Sequence, residues 1–96
     1  MDVARNQPFH VQADHDGVDT DTYELKIDGA AVATEPITNL QGGVITFDNV
    51  MVTQVGNHTA AVNAVGPAGS AESDPLPFDV VPGKPGKPTN VRLTVV

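Results

Sequence analysis

The chain has 96 residues, enough for one thin hydrophobic core, because a domain of this size buries only about 60–65% of the surface of its unfolded chain. Apolar residues make up 40% of the sequence and charged residues 18%, a balance that favours a folded chain over a disordered one. The sequence has no cysteine, which excludes disulfides, thiolate nucleophiles and cysteine-ligated zinc. No apolar run approaches the ~18 residues that a membrane span requires. We therefore expect a single domain with an aliphatic core.

The charge is unevenly distributed along the chain. The net charge is −7, so a nucleic acid or an anionic membrane would be repelled, and neither is expected as a partner. Residues 1–79 carry −10, whereas residues 80–96 carry +3 through Lys84, Lys87 and Arg92. This asymmetry is either incidental to a short tail or a means of attracting the tail to an acidic surface, such as that of an identical neighbour.

Apolar residues recur with period two in the first half of the chain, which is the pattern of half-buried strands, and no segment has helical periodicity. The first two predicted strands are residues 9–13 and 23–27, joined by an acidic loop. A short strand follows at 31–33, where Pro36 prevents a long extension except at a sheet edge. Residues 44–47 form the next predicted strand.

The second half continues the pattern. A strand at 58–65 is predicted to bury one face, made of His58, Ala60, Val62 and Ala64. After a Gly-Pro-Ala-Gly hairpin turn, residues 71–81 return as a strand whose prolines, Pro75 and Pro77, predict an edge position. The sequence thus predicts an all-β, antiparallel sandwich of about seven strands in residues 1–81, a Pro/Gly linker at 82–88, and a C-terminal strand or tail at 89–96.

Several motifs resemble the immunoglobulin and fibronectin type III group of β-sandwiches over about residues 8–90. Residues 45–50 followed by 56–60 are similar to the immunoglobulin strand and corner, with His58 in the place of the corner tyrosine and Ala60 in that of the cysteine. Residues 23–29 resemble the third strand of fibronectin modules, 64–70 their late hairpin, and 85–91 the entry into such a module. Ala13 stands where these modules commonly have a core tryptophan, so the packing must differ.

The order of elements predicts an open edge. If residues 9–13 are the family's second strand, Met1–Gln7 is too short and polar for a good first strand, and the alternating segment at 89–96 looks like that strand at the wrong end. The tail of one copy could then pair into the gap of the next copy. The alternatives are that the tail folds back on its own domain, dangles, or begins a following module. The predicted partner-binding residues are Lys84, Lys87, Val91, Arg92, Leu93 and Val95.

The sequence offers little chemistry. Asp14, Asp16, Asp19 and Asp21 are a candidate calcium cluster, but their spacing does not match an EF-hand, and a solvated acidic loop is the competing interpretation. The three histidines have no metal-ligand spacing, and the two serines have no nucleophile motif. We expect no enzyme activity, no cofactor and no resident metal.

Phage particles use immunoglobulin-like domains as decoration, and the resemblance therefore implies a non-enzymatic virion protein. The favoured interpretation is a small capsid or tail decoration or accessory protein that binds protein subunits, including other copies of itself. The alternative is a fibronectin type III-like spacer or adhesion module of a larger secreted bacterial protein, with an extracellular location.

Overall fold

The computed structural model describes residues 1–95 and consists almost entirely of β-strands. Only one turn of 3-10 helix, Ile37–Asn39, interrupts them in the described chain, and no helix there is long and apolar enough to cross a membrane. The strands are β1 (Asp2–Ala4), β2 (Phe9–Asp14), β3 (Thr22–Ile27), β4 (Ala30–Pro36), β5 (Val44–Val50), β6 (Gly56–Gly66), β7 (Gly69–Glu72) and β8 (Leu76–Val81). The all-β prediction is confirmed.

The strands form two sheets of unequal size. The larger sheet has the order β1-β8-β6-β3-β4, with β7 paired to the remaining length of β6. The smaller sheet contains only β2 and β5. Every pairing is antiparallel except that of β1 with β8, which is parallel, so the prediction of a purely antiparallel fold is wrong at this point.

The core lies between the two sheets. One cluster joins buried side chains of both sheets: Tyr23, Leu25 and Val62 from the larger, and Ile45, Phe47 and Val50 from the smaller. A second cluster contains Val3, Ala60, Phe78 and Val80. Full burial of each large apolar side chain contributes about 1.5–3 kcal/mol, so these few residues supply most of the stabilisation. The predicted inner face of β6 is confirmed, with three of its residues buried and Ala64 partly buried.

The first strand is the main correction to the expected topology. Met1–Gln7 was expected to be too short and polar, yet Asp2–Ala4 forms β1 with Val3 buried and paired to Val80. Main-chain hydrogen bonds from Arg5 N to Val81 O (2.8 Å) and from Asp79 N to Met1 O (2.9 Å) extend this pairing. A three-residue strand needs only one inward apolar side chain, because its hydrogen bonds come from the backbone.

The predicted strand at 71–81 is two strands, β7 and β8, which pair with successive parts of β6. The edge prediction is wrong for residues 79 and 80, which pair with β1 on one side and with β6 on the other. Pro75 and Pro77 precede the residues that pair with β1. Within residues 1–95, no strand lies on that side of them, so their missing N–H groups remove no hydrogen bond to β1. Pro36 closes β4, which is an edge strand as its proline predicts.

The predicted C-terminal strand is absent from the described residues. Regular structure ends at Val81, and residues 82–95 pair with no strand of their own chain. Residue 96, the last of the predicted segment 89–96, lies outside the described residues.

A close approach of two backbones requires glycine at position 66. The acidic loop crosses the end of β6, where Asp21 N donates to Val65 O at 2.8 Å. A Cβ at Gly66 would overlap the carbonyl group of Asp19, and neither main chain can move freely.

Gly66→Ala should therefore lower the free energy of unfolding by about 1–3 kcal/mol through steric overlap, measured by chemical denaturation. Gly86→Ala is the control, because a Cβ there meets nothing within 4 Å. Equal stability of the two variants would contradict the close approach.

Candidate functional site

The C-terminal segment carries the most exposed aliphatic side chains of the described chain. Val91, Leu93 and Val95 are 89%, 99% and 97% exposed, and they alternate with polar residues as in a strand with one apolar face. Lys84 and Lys87 are also exposed, and Arg92 bonds only the nearby carbonyl of Asn90 (3.3 Å). The molecule is 72 Å long but only 24 by 20 Å across. All six predicted partner-binding residues thus lie on one extended, solvated segment.

The smaller sheet offers main-chain groups that such a segment could pair with. Among residues 1–95, β2 is paired on one side only, with β5. His15 N donates to Gly43 O (2.9 Å) in the same register as the pairs Ala13–Ile45 and Val11–Phe47. Hydrogen-bonded pairs alternate with non-bonded pairs in an antiparallel ladder. The N–H and C=O groups of Gln12 and Asp14 consequently point away from β5, towards the open edge.

A groove runs beside this edge, between the smaller sheet and the β6–β7 hairpin. Its volume is about 260 Å³. The lining includes the small side chains of Ala13, Ala64 and Ala71, and the carboxylates of Asp14 and Glu72 lie along it. The groove therefore combines small apolar side chains with two acidic residues, of which Glu72 is ion-paired with Lys26 at 2.8 Å. The residues that form it come from four strands, β2, β3, β6 and β7, and no pattern in the sequence predicted that they would meet.

The acidic loop, residues 14–21, does not bring its carboxylates together into a metal site. Asp14 ends β2, Asp16 Oδ1 accepts a hydrogen bond from Val18 N (3.0 Å), and the backbone of Asp19 is left-handed (φ 53°). Asp21 is tied to β6 through its main-chain N–H. Within residues 1–95, no three His, Cys, Asp or Glu side chains are placed to hold a metal ion. The carboxylate of Asp16 stabilises a turn.

The most strongly bound polar side chain is His58, which is buried on β6. Its Nδ1 lies 2.5 Å from Asp28 Oδ2 and its Nε2 lies 2.7 Å from Gln54 O. A carboxylate and a carbonyl oxygen can only accept, so both contacts are hydrogen bonds when both ring nitrogens carry hydrogen, as they do in the imidazolium form. The ring of Phe78 stacks on it at a centroid distance of 5.6 Å, which favours a cation.

The contact between His58 and Asp28 shifts the pKa of each side chain. The hydrogen bond to Asp28, followed by that to Gln54, raises the pKa of His58 above its ordinary 6.5. The hydrogen bond from His58, followed by that from Thr59 N, lowers the pKa of Asp28 below its ordinary 3.8. The sequence placed His58 on an inner face but did not predict this partner, which is 30 positions away.

The partly buried His15 differs from His58 because its Nδ1 accepts a hydrogen bond. His15 Nδ1 lies 2.8 Å from the Tyr23 hydroxyl and accepts from Gly17 N at 3.1 Å. Because this nitrogen accepts a hydrogen bond from a backbone N–H, it carries no proton. Burial raises the pKa of the Tyr23 phenol, so its hydroxyl keeps its hydrogen and can donate it to this nitrogen. Both histidines anchor loops to the core.

Comparison with known proteins identifies no family for this chain. No protein-family model matches it, and a search of curated proteins finds no match.

The His58–Asp28 pair should make stability depend on pH. The contribution of Asp28 is present above pH 3.8 and is lost as pH falls through its lowered pKa. The contribution of His58 is present below pH 6.5 and is lost as pH rises through its raised pKa. The melting temperature should therefore fall most in Asp28→Asn, relative to the unsubstituted chain, between pH 3.8 and 6.5.

Asp48→Asn is the matched control for this experiment. Asp48 pairs with His10 at 2.8 Å, but both side chains are 65% exposed, and exposed pairs contribute little. The same pH profile for the two variants would contradict the special role of the buried histidine.

Proposed function

We propose that this chain is a non-enzymatic structural protein with an immunoglobulin-like, fibronectin type III-like β-sandwich. The order of strands supports this assignment. In immunoglobulin sandwiches the second and fifth strands are neighbours in one sheet, and the third, sixth and seventh are consecutive in the other. Here β2 pairs with β5, and β3, β6 and β8 are consecutive. This fits that order if β4 is the fourth strand, moved to the edge of the larger sheet, and if β7 and β8 together take the place of the seventh.

The proposed role is that of a small accessory protein on a virus particle, decorating a phage capsid or tail. The observation that carries the proposal is the projecting tail, whose alternating aliphatic side chains are almost fully exposed. Exposed apolar segments of this kind mark contact surfaces. A compact two-layer body that presents one adhesive segment suits a protein whose work is attachment to other subunits.

The tail would bind chiefly through main-chain pairing and through Val91, Leu93 and Val95. Lys84, Lys87 and Arg92 would draw it towards acidic protein surfaces, since charge complementarity acts mainly on the rate of association. Exposed ion pairs contribute only about 0–1 kcal/mol each, so apolar contacts must supply most of the affinity.

Deleting residues 83–96 from the encoding gene should release the protein from virus particles, because these residues hold the docking segment. The measurement is mass spectrometry of purified virus particles that carry either the unaltered or the truncated gene. The control is the double variant Asp19→Asn and Asp48→Asn, which alters exposed carboxylates and should remain bound.

A complete absence of the unaltered chain from particles would refute the virion role. Secreted peptides that continue beyond residue 96 would favour a spacer or adhesion module of a larger protein instead. Retention of the truncated chain on particles would show that the body, and not the tail, makes the attachment.

A further inference from the structure

We propose that the open edge of β2 accepts the C-terminal tail of a second copy of this chain, so that residues 89–95 add a third strand to the smaller sheet. This inference rests on the proposed role of the tail as a docking segment and names its acceptor. The contact would be head-to-tail, with each copy offering one tail and one edge.

The first argument is that β2 is the least protected edge of the structure. Proteins blunt their sheet edges with short strands, bulges and prolines. The edge strand β1 has three residues, and β4 has a register irregularity and ends at Pro36. On β5, Val44 already pairs with Gln41, and Asn49 is left-handed (φ 55°) at a register shift. The same register shift lies at the start of β2, between Phe9 and Val11, and beyond it the outward main-chain groups of Gln12 and Asp14 have no cover among the described residues.

The second argument is the groove beside that edge. A strand added to β2 would direct alternate side chains towards the larger sheet. The space there is about 260 Å³, and three alanines are among the residues that line it. Val91, Leu93 and Val95 have the period and the bulk to fill such a space, and they have no other cover within residues 1–95.

The third argument is charge. Asp14 lines the groove and the exposed Asp16 follows in the adjoining loop, whereas the other acidic lining residue, Glu72, is already paired with Lys26. Residues 1–79 carry −10, whereas the tail carries +3. A tail strand with its aliphatic face inward would place Arg92 on the outer face, on the same side as Asp14. The acceptor and the donor are therefore complementary in charge and in shape.

The direction of the chain favours a second copy over the same copy. Val81 lies at the end of the body where β2 begins, because Arg5 N bonds Val81 O and Phe9 opens β2 soon after. A tail folding back from there would run parallel to β2, the less stable pairing. Residues 82–95, when extended, span about 45–50 Å away from the body, and prolines at 82, 85 and 88 stiffen the first half. A tail from another copy can approach from the opposite end and pair antiparallel.

Cysteine cross-linking tests the contact sharply, because the natural chain has no cysteine. The donor copies carry Arg92→Cys or Thr94→Cys, which covers two registers on the outer face of the added strand. The acceptor copies carry Gln12→Cys, and a matched acceptor carries Thr46→Cys. Gln12 and Thr46 are direct partners across the smaller sheet, and their side chains touch at 3.2 Å. They therefore share one face but lie on opposite edge strands.

A donor and an acceptor that differ in mass by a tag are mixed and oxidised with oxidised glutathione, and dimers are resolved on a denaturing gel. A strand beside β2 lies about 4.8 Å from Gln12 and twice as far from Thr46, whereas a disulfide requires Cα atoms within about 7 Å. We expect at least tenfold more mixed dimer with Gln12→Cys than with Thr46→Cys for one of the donors. Adding Leu93→Asp to the donor should reduce this yield severalfold.

Equal or greater cross-linking at Thr46→Cys would overturn the proposal, as would no mixed dimer above the level given by an acceptor without cysteine. The double variant Gln12→Cys and Thr94→Cys tests the same-chain alternative, and a cross-linked monomer as its main product would also overturn it. Light scattering of the natural chain should show mass rising with concentration, and deletion of residues 83–96 should abolish the rise.

The outcome is separable from the virion role. Cross-linking at Gln12 by a chain that is absent from particles would leave this contact standing and refute that role. A chain that is bound to particles but fails to cross-link at Gln12 would refute this contact and retain that role.

Discussion

The packing of the two-stranded sheet against the larger one is the constraint on which the rest of the structure depends. An isolated pair of strands is at best marginally stable in water, so β2 and β5 persist because Ile45 and Phe47 are buried against Tyr23 and Leu25. The side chains on the inner face of the smaller sheet therefore all pack against the larger sheet. Its edges are left free, and the open edge of β2 follows directly from a second layer that has only two strands.

Two buried polar contacts hold the loops around this core. His58 is clamped between the carboxylate of Asp28 and the carbonyl of Gln54, which ties the β3–β4 turn to the start of β6. His15 holds the acidic loop to the hydroxyl of Tyr23. His15 and His58 therefore hold loops to the core of the fold.

The acidic body and the basic tail differ in charge, and the structure shows where the acidic residues lie relative to the open edge of β2. In the proposed docking, the basic residues around the exposed aliphatic segment would direct it towards acidic surfaces. The most acidic stretch of the chain, from Asp14 to Asp21, begins at the open edge of the smaller sheet. Charge and hydrogen bonding thus single out the same side of the molecule.

The period-two alternation by itself determined that the chain is all-β, located most of its strands, and identified the inner face of β6, because side-chain polarity in a strand is a local property. It missed β1, where one buried valine gives no periodic signal, and it assigned a strand to residues 91–95, which have the pattern but no partner in their own chain. Only the tertiary structure decided that β1 runs parallel to β8, that β8 is covered over residues 79–81, and that β2 is exposed. These outcomes depend on contacts between distant positions, such as Val3 with Val80 and Asp28 with His58, whose energies no local pattern records.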